Sequence, residues 1–506
     1  MSSTNNIAMR KLMLRSLESA AKIIFGVILF SLTNQLAYES VYAIVCSLMI
    51  LSNAVKALNG LQSNAAYLNR VRKHDPISNN QLHETRKYLL RSGISLELLD
   101  DLSVIHVAGT KGKGSVCAFA ESLLRAHGVR TGLYTSPHLV SVRERLRING
   151  KPIEEEKFTK YFWRVYNRLE KGREHKGDMP QYFKFLTLLM FHMFLEAAID
   201  VAIIEVGIGG ELDCTNVLRN PVCVGITSLG LEHTSLLGDT LESIAYQKSG
   251  IFKRGAPALS VPQPEEAMRV LDKRSRDKGC SLTVVPTIDS YPWSGKRPVL
   301  GIAGEFQNYN ASLAIGMTRA WLESNHDRTP FSFETGASAL SRCKWPGRTQ
   351  ILRGERIDFY LDGAHTVESI DCCVSWFRES TKHSDGKRVL VFNTTGNRDS
   401  AKLLTLLRPL NFQRAYFVPN VAGNFTRVDQ INYTVSGKEQ IERCQKHCDI
   451  WGEGSVRGSN VSEVLDRIAE DNGSSEKINL LVTGSLHLVG AVLAVIDPDL
   501  MLSTRS

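Results

Sequence analysis

Residues 106–115 read His-Val-Ala-Gly-Thr-Lys-Gly-Lys-Gly-Ser and decide the fold of the first half of the chain. The mostly apolar run at 104–107 predicts a buried strand, and the apolar periodicity over 116–124 predicts a helix. Between them lies a loop that holds Gly109, Gly112 and Gly114. A strand, a glycine loop and a helix N-terminus bind phosphate, because bare N–H groups and the positive end of the helix dipole face the anion. With the charges of Lys111 and Lys113, the stretch predicts a nucleoside triphosphate site.

The glycine loop departs from the standard P-loop pattern G-x-x-x-x-G-K-[ST]. That pattern needs glycine at 107 and a hydroxyl residue at 114, whereas the chain has Val107 and Gly114, with the hydroxyl one place later at Ser115. Without a hydroxyl directly after the lysine, Mg²⁺ needs another protein ligand. The structural alternative is a plain glycine turn between a strand and a helix.

Length and composition describe a soluble globular protein with two or three domains. The chain has 506 residues, 43% hydrophobic and 22% charged, with a net charge of +9,. The positive charge is spread along the chain without a nucleic-acid-binding signature, which favours anionic small molecules as partners and no nucleic acid. The ten cysteines form no disulfide or zinc framework, which indicates reduced thiols and an intracellular compartment,.

Residues 1–53 form a distinct N-terminal extension. They contain two apolar runs, 23–32 and 41–51, each about half the ~20 residues needed to span a bilayer,. The basic, acid-poor start is compatible with a mitochondrial presequence. A signal or hairpin membrane anchor and an unstructured extension are the alternatives, so membrane association stays open.

From about residue 54 the pattern alternates between helices and near-continuous apolar strands, which predicts α/β architecture with parallel sheets covered on both faces. We expect an ATP-binding domain at 54–334 and a second, smaller α/β domain at 335–506, with the polar segment Glu323–Thr335 as linker. The predicted strands are Ser103–Val107, Thr131–Thr135, Val201–Val206, Val222–Thr227, Phe359–Leu361, Val389–Phe392, Ala415–Val418 and Ile478–Val482. The predicted helices include Ala54–Val71, Leu82–Ser92, Tyr161–Leu169 and Phe183–Leu195.

Four residues in the first half carry candidate chemistry. Ser136 follows a predicted strand, where ligands bind in open α/β sheets. Glu205 ends another apolar strand, and a strand-end carboxylate beside a phosphate loop suits Mg²⁺. His233 lies in a loop after a further strand, and Lys248 lies between apolar neighbours. A turn, a salt bridge, a loop histidine and a surface lysine are the respective structural alternatives.

The second half offers a similar set. Arg348, in Trp-Pro-Gly-Arg at 345–348, suits bidentate phosphate binding,. Asp362 and His365 come just after a predicted strand, where a ribose hydroxyl or an amino acid could be held. Ser485 lies between a strand and an apolar helix. For Arg348 and Ser485 a plain turn is the structural alternative.

Taken in order from about Ala54 to Pro498, these motifs resemble the folylpolyglutamate synthase family of the Mur ligase superfamily, in its eukaryotic form. The motifs that carry the resemblance are Gly109–Ser115, Thr135–Leu139 with Arg143–Ile148, Glu205–Gly210 with Asp213–Asn216, His233, Gln247–Lys248, Trp345–Arg348 and Asp362–His365. The resemblance implies a P-loop-type parallel-sheet ATPase domain followed by a Rossmann-like domain. It also implies ATP-dependent addition of L-glutamate to the γ-carboxyl of reduced folates and their polyglutamates, through an acyl phosphate.

The resemblance also implies roles for single residues. Gly112, Lys113, Gly114 and Ser115 would bind the ATP phosphates, with Lys113 also catalytic, and Arg348 and Asp362 would bind ATP from the C-terminal domain. Ser136, Glu205 and His233 would bind Mg²⁺. Lys248 matches a lysine that carries a carbamate, and His365 and Ser485 would lie near the incoming glutamate. K⁺ is a further candidate cation, the expected state is a monomer, and the expected location is mitochondrial, cytoplasmic or both.

The chain departs from the family pattern at two positions. Glu232 replaces an aspartate before the metal histidine, and Phe306 replaces a histidine in Gly304–Gln307. We expect the first to adjust the metal surroundings and the second to alter a domain contact. Dihydrofolate synthase, a P-loop kinase or NTP-driven switch, and a non-catalytic folate- or nucleotide-binding module are the alternative functions.

Overall fold

The computed structural model describes residues 50–62, 80–396, 398–423, 437–471 and 476–504. The chain divides into two compact units, Met1–Ala57 and Leu58–Ser506. The two apolar N-terminal runs lie almost entirely outside the described residues. A helix spans 50–59 and a turn begins at Gly60, so the helix expected over Ala54–Val71 ends earlier than predicted. Within the described ranges, no helix is both long and apolar enough to cross a membrane.

The first sheet contains eight of the described strands. They are β1 Val104–Ala108, β2 Thr131–Tyr134, β3 Leu146–Ile148, β4 Lys151–Pro152, β5 Val201–Glu205, β6 Cys223–Ile226, β7 Ala258–Ser260 and β8 Leu282–Val284. Their order is β4-β3-β2-β5-β1-β6-β7-β8. All neighbours pair in parallel except β2 with β3 and β3 with β4. The four longer strands predicted from apolar runs are therefore present, within one or two residues at each end.

Helices cover this sheet, and with it they form the N-terminal lobe, residues 80–343. Their bounds are Asn80–Ser92, Leu96–Asp100, Lys113–Ala126, Glu155–Lys171, Tyr182–Glu196, Thr234–Leu237, Leu241–Lys248, Glu265–Lys278, Gln307–Ser324 and Phe333–Arg342. Every residue of β1, β2 and β5 is buried, which explains the near-continuous apolar character of these strands,.

The second sheet contains six of the described strands and belongs to the C-terminal lobe, residues 344–504. They are β9 Gln350–Leu352, β10 Ile357–Leu361, β11 Lys387–Phe392, β12 Arg414–Phe417, β13 Ser455–Arg457 and β14 Ile478–Thr483, in the order β13-β12-β11-β14-β10-β9. Only β9 pairs antiparallel among them. The helices are Val367–Ser380, Ser400–Leu407, Gly437–Trp451, Val461–Asp471, Leu486–Ile496 and Met501–Thr504. The predicted α/β fold class with two parallel-type sheets is confirmed.

The segment Glu323–Thr335, expected as the domain linker, instead connects two helices of the N-terminal lobe. The helix Phe333–Arg342 packs into the same core as Lys113–Ala126, and the Ser122 hydroxyl donates to the carbonyl of Ala339 over 2.9 Å. Leu340 is fully buried in that core. We therefore propose that the boundary between the α/β domains lies near residue 343, rather than at 334/335.

Parallel pairing brings the loops that follow the strands to one edge of each sheet. In the N-terminal lobe, β1, β2, β5 and β6 end at Ala108, Tyr134, Glu205 and Ile226. In the C-terminal lobe, β10, β11 and β14 end at Leu361, Phe392 and Thr483. Ligands of open α/β sheets bind at this carboxyl edge. Most of the predicted site residues lie at or after these strand ends, whereas Arg348 precedes β9 and Lys248 ends the helix Leu241–Lys248.

Candidate active site

The glycines of the loop after β1 occupy places that only glycine can fill. Gly109 has φ 149° and Gly112 has φ 94°. A Cβ on Gly109 would lie 1.8 Å from the Thr227 hydroxyl, and one on Gly112 would lie 2.3 Å from Asn310 Oδ1. The loop therefore presses its backbone against the segment after β6 and against the helix Gln307–Ser324.

Backbone hydrogen bonds fix the first part of this loop. The N–H groups of Thr110 and Lys111 donate to the carbonyl of Ser228 over 3.0 and 3.1 Å. The Thr110 hydroxyl donates to the Gly230 carbonyl over 3.1 Å. The helix that follows begins at Lys113, and the first N–H groups of a helix have no intrahelical partners,. These N–H groups, at Lys113, Gly114 and Ser115, belong to the predicted phosphate-binding stretch Gly112–Ser115.

The helix Gln307–Ser324 supports this helix N-terminus. Gln307 is fully buried, and its side-chain amide donates to the Ser115 hydroxyl over 3.3 Å. Asn310 donates to Gln307 Oε1 over 2.8 Å. Phe306, which replaces the histidine of the family pattern, stands just before Gln307, and the Phe306 side chain is partly exposed. The buried amide contact to the phosphate loop is thus present beside the altered position.

Two lysines converge on the loop. Lys113 Nζ donates to the Gly109 carbonyl over 3.2 Å, and Lys248 Nζ donates to the same oxygen over 2.7 Å. Lys248 is buried, not on the surface, and burial together with the charge of Lys113 lowers its pKa to about 7. A lysine with this pKa is substantially uncharged at neutral pH.

Glu205 ends β5 beside the phosphate loop, in register with Val107 of β1. Its side chain is buried, and Oε2 accepts a hydrogen bond from the N–H of Ser136 over 2.9 Å. Burial raises the pKa of Glu205, while the charges of Lys113 and Arg348 oppose that rise. The structure therefore brings Glu205, Ser136 and Lys113 together.

His233 follows β6 and begins the short helix Thr234–Leu237 in a left-handed conformation, with φ 54°. Its carbonyl accepts from the N–H groups of Leu236 and Leu237. Desolvation lowers the pKa of His233, and the nearby ammonium of Lys113 lowers it further. Lys113 therefore interacts electrostatically with two of the predicted metal ligands, Glu205 and His233.

The predicted metal ligands suit a cation that also binds substrate. Over the described residues, no group of three or more His, Cys, Asp or Glu side chains could hold a metal by itself. Ser136, Glu205 and His233 offer one hydroxyl, one carboxylate and one imidazole. Mg²⁺ takes few protein ligands and completes its shell with water and substrate phosphates. The donor set fits Mg²⁺ only together with a bound nucleotide.

The C-terminal lobe places Arg348 and Asp362 next to each other. Asp362 is buried and accepts from the N–H groups of Thr349 over 2.7 Å and Ala364 over 2.9 Å. A Cβ on Gly363 would lie 2.8 Å from Arg348 Nη1, so the guanidinium lies against the Asp362–His365 loop. Burial raises the pKa of Asp362, and the charge of Arg348 opposes it. The charge of Arg348 also opposes the raised pKa of Glu205, so the guanidinium lies near enough to the N-terminal lobe to influence that carboxylate.

A three-residue cluster joins the lobes. Lys111 Nζ lies 3.1 Å from Glu232 Oε1 and 3.3 Å from His365 Nε2. The Arg398 guanidinium donates to the His365 carbonyl over 2.8 Å. Although burial opposes it, His365 and Lys111 hold the pKa of Glu232 well below its usual range. His365 therefore meets the phosphate-loop side of the site.

Ser485 follows β14 and begins the helix Leu486–Ile496. The residue is buried, and its hydroxyl accepts from the N–H of His487 over 3.1 Å. Gly484 donates to the Ala364 carbonyl over 2.9 Å, which ties this turn to the loop that carries His365. Ser485 is thus a helix cap near the site.

Sequence reasoning missed three contributors to this site. The sequence indicates Lys111 only as extra charge for the phosphates, and Glu232 only as a departure from the family pattern. Arg398 is not among the predicted site residues, although it follows β11 at the carboxyl edge, two residues after Gly396. That position after a parallel strand is the one sequence signal that points to it.

Known proteins resemble this chain along most of its length. Residues 348–495 match the family described as dihydrofolate synthetase, C-terminal domain. The mitochondrial folylpolyglutamate synthase of Homo sapiens is 41% identical over 540 residues, which cover 88% of this chain and 92% of the relative. The corresponding Bos taurus protein is 40% identical with the same coverage of both chains.

Solved structures show the same architecture. E. coli FolC in complex with DHPP and ADP has a TM-score of 0.65 and 25% identity, covering 86% of this chain and 98% of that chain. The bifunctional folylpolyglutamate synthase/dihydrofolate synthase from Yersinia pestis, complexed with AMPPNP and Mn ion, has a TM-score of 0.64, 26% identity and the same coverage. With two curated relatives at 40% identity or more, the chain belongs to the folylpolyglutamate synthase family and has its Mur ligase-like fold.

Proposed function

We propose that this chain is a folylpolyglutamate synthase, an ATP-dependent ligase that adds L-glutamate to the γ-carboxyl of reduced folates and their polyglutamates. The observation that carries the proposal is the meeting of the phosphate loop with the C-terminal lobe. Lys111 of the loop contacts His365 over 3.3 Å. The charge of Arg348, from the C-terminal lobe, lowers the pKa of the buried Glu205 and so opposes the effect of burial. A kinase or NTP-driven switch needs the loop but not this second lobe, and a non-catalytic binding module would need no such charged groups at the junction.

The ligation needs an activated carboxyl group, because a carboxylate is a poor electrophile. ATP transfers its γ-phosphoryl group to the folate carboxylate, the glutamate amine attacks the acyl phosphate, and inorganic phosphate leaves. In our proposal the N–H groups at Gly112–Ser115 hold the phosphates, and Lys113 offsets charge on the transferring group. Arg348 and Asp362 hold the nucleotide from the other lobe, and closure of the lobes excludes water from the acyl phosphate.

Ser136, Glu205 and His233 would hold Mg²⁺ together with the nucleotide. A bound divalent cation would neutralise charge on the ATP phosphates during transfer. The buried Glu205 carboxylate supports this assignment, because it accepts a backbone N–H and lies near Lys113 and Arg348 but forms no ion pair with any side chain that the structure describes. AMPPNP and Mn ion are bound together in the Yersinia pestis structure, which supports a divalent cation beside the nucleotide; we propose Mg²⁺ for this chain, with K⁺ as a further cation.

Lys248 is proposed to carry a carbamate. Carbamate formation needs an uncharged amine, and the pKa of about 7 supplies one at neutral pH. The uncharged amine would add CO₂ through a new N–C bond and release one proton, which leaves a carbamate anion beside Lys113. An ion pair between the Lys248 carbamate and the Lys113 ammonium would replace the like-charge contact between the two lysines. Mass spectrometry under CO₂ with trapping of the carbamate tests this step directly.

Dihydrofolate synthase is the second candidate. Two observations support dihydrofolate synthase activity. Residues 348–495 match the dihydrofolate synthetase C-terminal domain, and E. coli FolC has been solved with DHPP. The two activities separate when purified protein receives ATP, L-glutamate and either dihydropteroate or tetrahydrofolate. We expect ADP release that depends on tetrahydrofolate and exceeds the dihydropteroate rate by at least about tenfold. ADP release with dihydropteroate but not with tetrahydrofolate would instead assign the chain to dihydrofolate synthesis.

We further propose a mitochondrial location, a monomeric state and an extension at 1–53 that catalysis does not need. The mammalian relatives carry the word mitochondrial in their names, and the extension is basic and poor in acids. A chain that begins at Ala54 should ligate glutamate as the full chain does. Residues 1–53 fused to a fluorescent protein should enter mitochondria, whereas cytosolic or secretory-pathway fluorescence would contradict that address.

A further inference from the structure

His106 lies on β1 in the interior of the first sheet, and its side chain is fully buried. In the parallel register His106 stands beside Ile204 of β5, and the next residue, Val107, stands beside Glu205. Residues in register share a face of the sheet, and successive residues of a strand alternate between the two faces. His106 therefore lies on the face opposite Glu205, and it can influence the proposed metal ligands only through other residues.

The hydrogen bonds around His106 fix where its proton lies. The Thr215 hydroxyl donates its one hydrogen to Asp213 Oδ1 over 2.6 Å, so the same oxygen can only accept from His106,. His106 Nε2 is 2.9 Å from that oxygen and therefore carries the hydrogen. Nδ1 has no hydrogen-bond partner in the part of the chain that the structure describes, and burial lowers the pKa of His106 to about 3. The ring is neutral, and a relay of donors runs from His106 through Thr215 to Asp213.

Asp213 connects this relay to the loop that follows β5. Its Oδ2 atom accepts from the N–H of Ile208 over 3.1 Å, and Oδ1 accepts from the N–H of Thr215 over 3.0 Å. Each of these partners donates to the carboxylate, so Asp213 is ionised, although burial raises its pKa,. Because the group is buried, water does not replace a hydrogen bond that is lost. The relay therefore holds the backbone at Ile208.

The loop held in this way, Gly207–Gly210, packs against the end of the helix that carries Lys248. A Cβ on the last residue of the loop would lie 2.7 Å from the carbonyl oxygens of Gln247 and Lys248. The next N–H, that of Glu211, donates to the Gln247 carbonyl over 2.7 Å. Glu205 lies just before the loop, at the end of β5. The loop thus sets the placement of Glu205 relative to the backbone of Lys248.

We propose that His106 is a positioning residue of the ligase, and that its relay fixes the 207–210 loop and with it the placement of Glu205 relative to Lys248. This inference rests on the proposed function, which assigns a metal to Glu205 and a carbamate to Lys248. A displacement of catalytic groups by about 1 Å costs up to about 100-fold in rate, even when its cause lies far from the reacting atoms. A relay on the opposite face of the sheet is close enough to have this effect.

Two variants of His106 test the role of its donor. His106→Met removes the N–H and keeps a long side chain, whereas His106→Gln keeps an N–H donor. We expect His106→Met to lower kcat and to raise the Mg²⁺ concentration for half-maximal activity, each at least fivefold, and His106→Gln to stay within twofold of the natural protein. The KM for L-glutamate, whose expected contacts lie in the C-terminal lobe, should change less than twofold. His192→Met, at another buried histidine of the N-terminal lobe, is the control.

Thr215→Val tests the path, because it removes the hydroxyl link and keeps the shape. We expect the same changes as in His106→Met, and we expect the double variant to be no worse than either single variant, since both break one relay. Thr318→Val is the control, at a buried threonine whose hydroxyl has no partner among the described residues. Effects of His106→Met and Thr215→Val that multiply in the double variant would overturn the proposal.

Hydrogen exchange of the ligand-free protein measures the loop without catalysis. Amides at 207–211 should exchange at least fivefold faster in His106→Met and Thr215→Val, while those of the helix Glu265–Lys278 keep their rates. Unchanged exchange at 207–211, or equal loss of kcat in His106→Met and His106→Gln, would overturn the proposal. A lower Tm with natural kcat and Mg²⁺ requirement in the folded fraction would do the same. Failure of the unmodified chain to ligate glutamate would count against the proposed function, and the exchange rates would still decide whether His106 fixes the loop.

Discussion

Lys113 and Lys248 donate hydrogen bonds to one backbone oxygen, the carbonyl of Gly109, over 3.2 and 2.7 Å. The two ammonium groups therefore lie close together at the start of the phosphate loop. Burial and this like-charge contact lower the pKa of Lys248 to about 7. Two cations at one loop are costly unless an anion joins them, so the arrangement is suited to a polyphosphate or to a modified lysine.

Lys113→Ala should nearly abolish ligation while the protein stays folded. The ammonium offsets charge on the transferring phosphoryl group, and one such electrostatic contact contributes about 3 kcal/mol in the transition state, or about 100- to 1,000-fold in kcat. Steady-state kinetics with circular dichroism as the folding check measure the effect. Lys157→Ala, on an exposed helix surface, is the control. Near-normal turnover in folded Lys113→Ala would contradict the assignment of Lys113 to the ATP phosphates.

Lys248→Met should change the pH dependence of stability. The folded-state pKa is about 7, and the ordinary value is 10.5, so between these values the unfolded chain binds more protons,. The contribution of Lys248 to the free energy of unfolding of the natural protein should therefore increase as the pH rises from 7 to 10.5. Below pH 7 the lysine is charged in both states, and the fold bears the whole cost of burying it.

The measurement is the difference in Tm between the natural protein and Lys248→Met across pH 6–10, without ligand and without CO₂. The variant should be more stable at pH 7, by about a few degrees, and its advantage should shrink toward pH 10. Lys273→Met, at an exposed lysine, controls for loss of a surface charge. A constant difference at every pH would show that burial does not shift the protonation of Lys248.

Glu205→Gln should raise the requirement for divalent cation without loss of the fold. The variant keeps the shape but removes the one negative charge among the proposed metal ligands. We expect at least a tenfold higher Mg²⁺ concentration for half-maximal activity, and Glu156→Gln should behave as the natural protein. If Glu205→Gln lowers Tm sharply while the folded fraction is fully active, Glu205 serves as an ion-pair partner of Lys113 instead.

Arg348→Ala should weaken ATP use and uncouple hydrolysis from ligation. Arg348 belongs to the C-terminal lobe, and its charge influences Glu205 of the N-terminal lobe, so its loss should raise the KM for ATP and admit water to the acyl phosphate,. The ratio of ADP formed to glutamate ligated measures the coupling, and Arg342→Ala, on an exposed helix end, is the control. An unchanged KM, kcat and coupling ratio would contradict an ATP site shared by two lobes.

The sequence predicts the central strands well and the edge strands poorly. Val201–Glu205 and Ile478–Thr483 are fully buried, so their apolar runs are long and unmistakable. Short strands such as β8, β9 and β13 are partly exposed and carry no such run. The β3–β4 hairpin did have a sequence signal, because Asn149-Gly150 supplies the two positive φ angles, 49° and 79°, that tight hairpin turns prefer,.

The boundary between the lobes and the cluster around His365 were harder to predict. The polar segment at 323–335 is typical of a linker, but the helix after it buries Leu340 in the first core, and only packing reveals that. Lys111 and Lys113 are alike in sequence, and the loop backbone alone directs one across the lobes and the other back to Gly109. Tertiary geometry, rather than residue type, separates their roles.

The central claim is that this chain extends folates by γ-linked glutamate with ATP. Mass spectrometry of the products from tetrahydrofolate, ATP, Mg²⁺ and isotopically labelled L-glutamate tests it most directly. We predict a ladder of folates that each gain whole labelled glutamate residues, with one ADP formed for each residue added. ADP formation without any labelled folate, or labelling of dihydropteroate but never of tetrahydrofolate, would contradict the account.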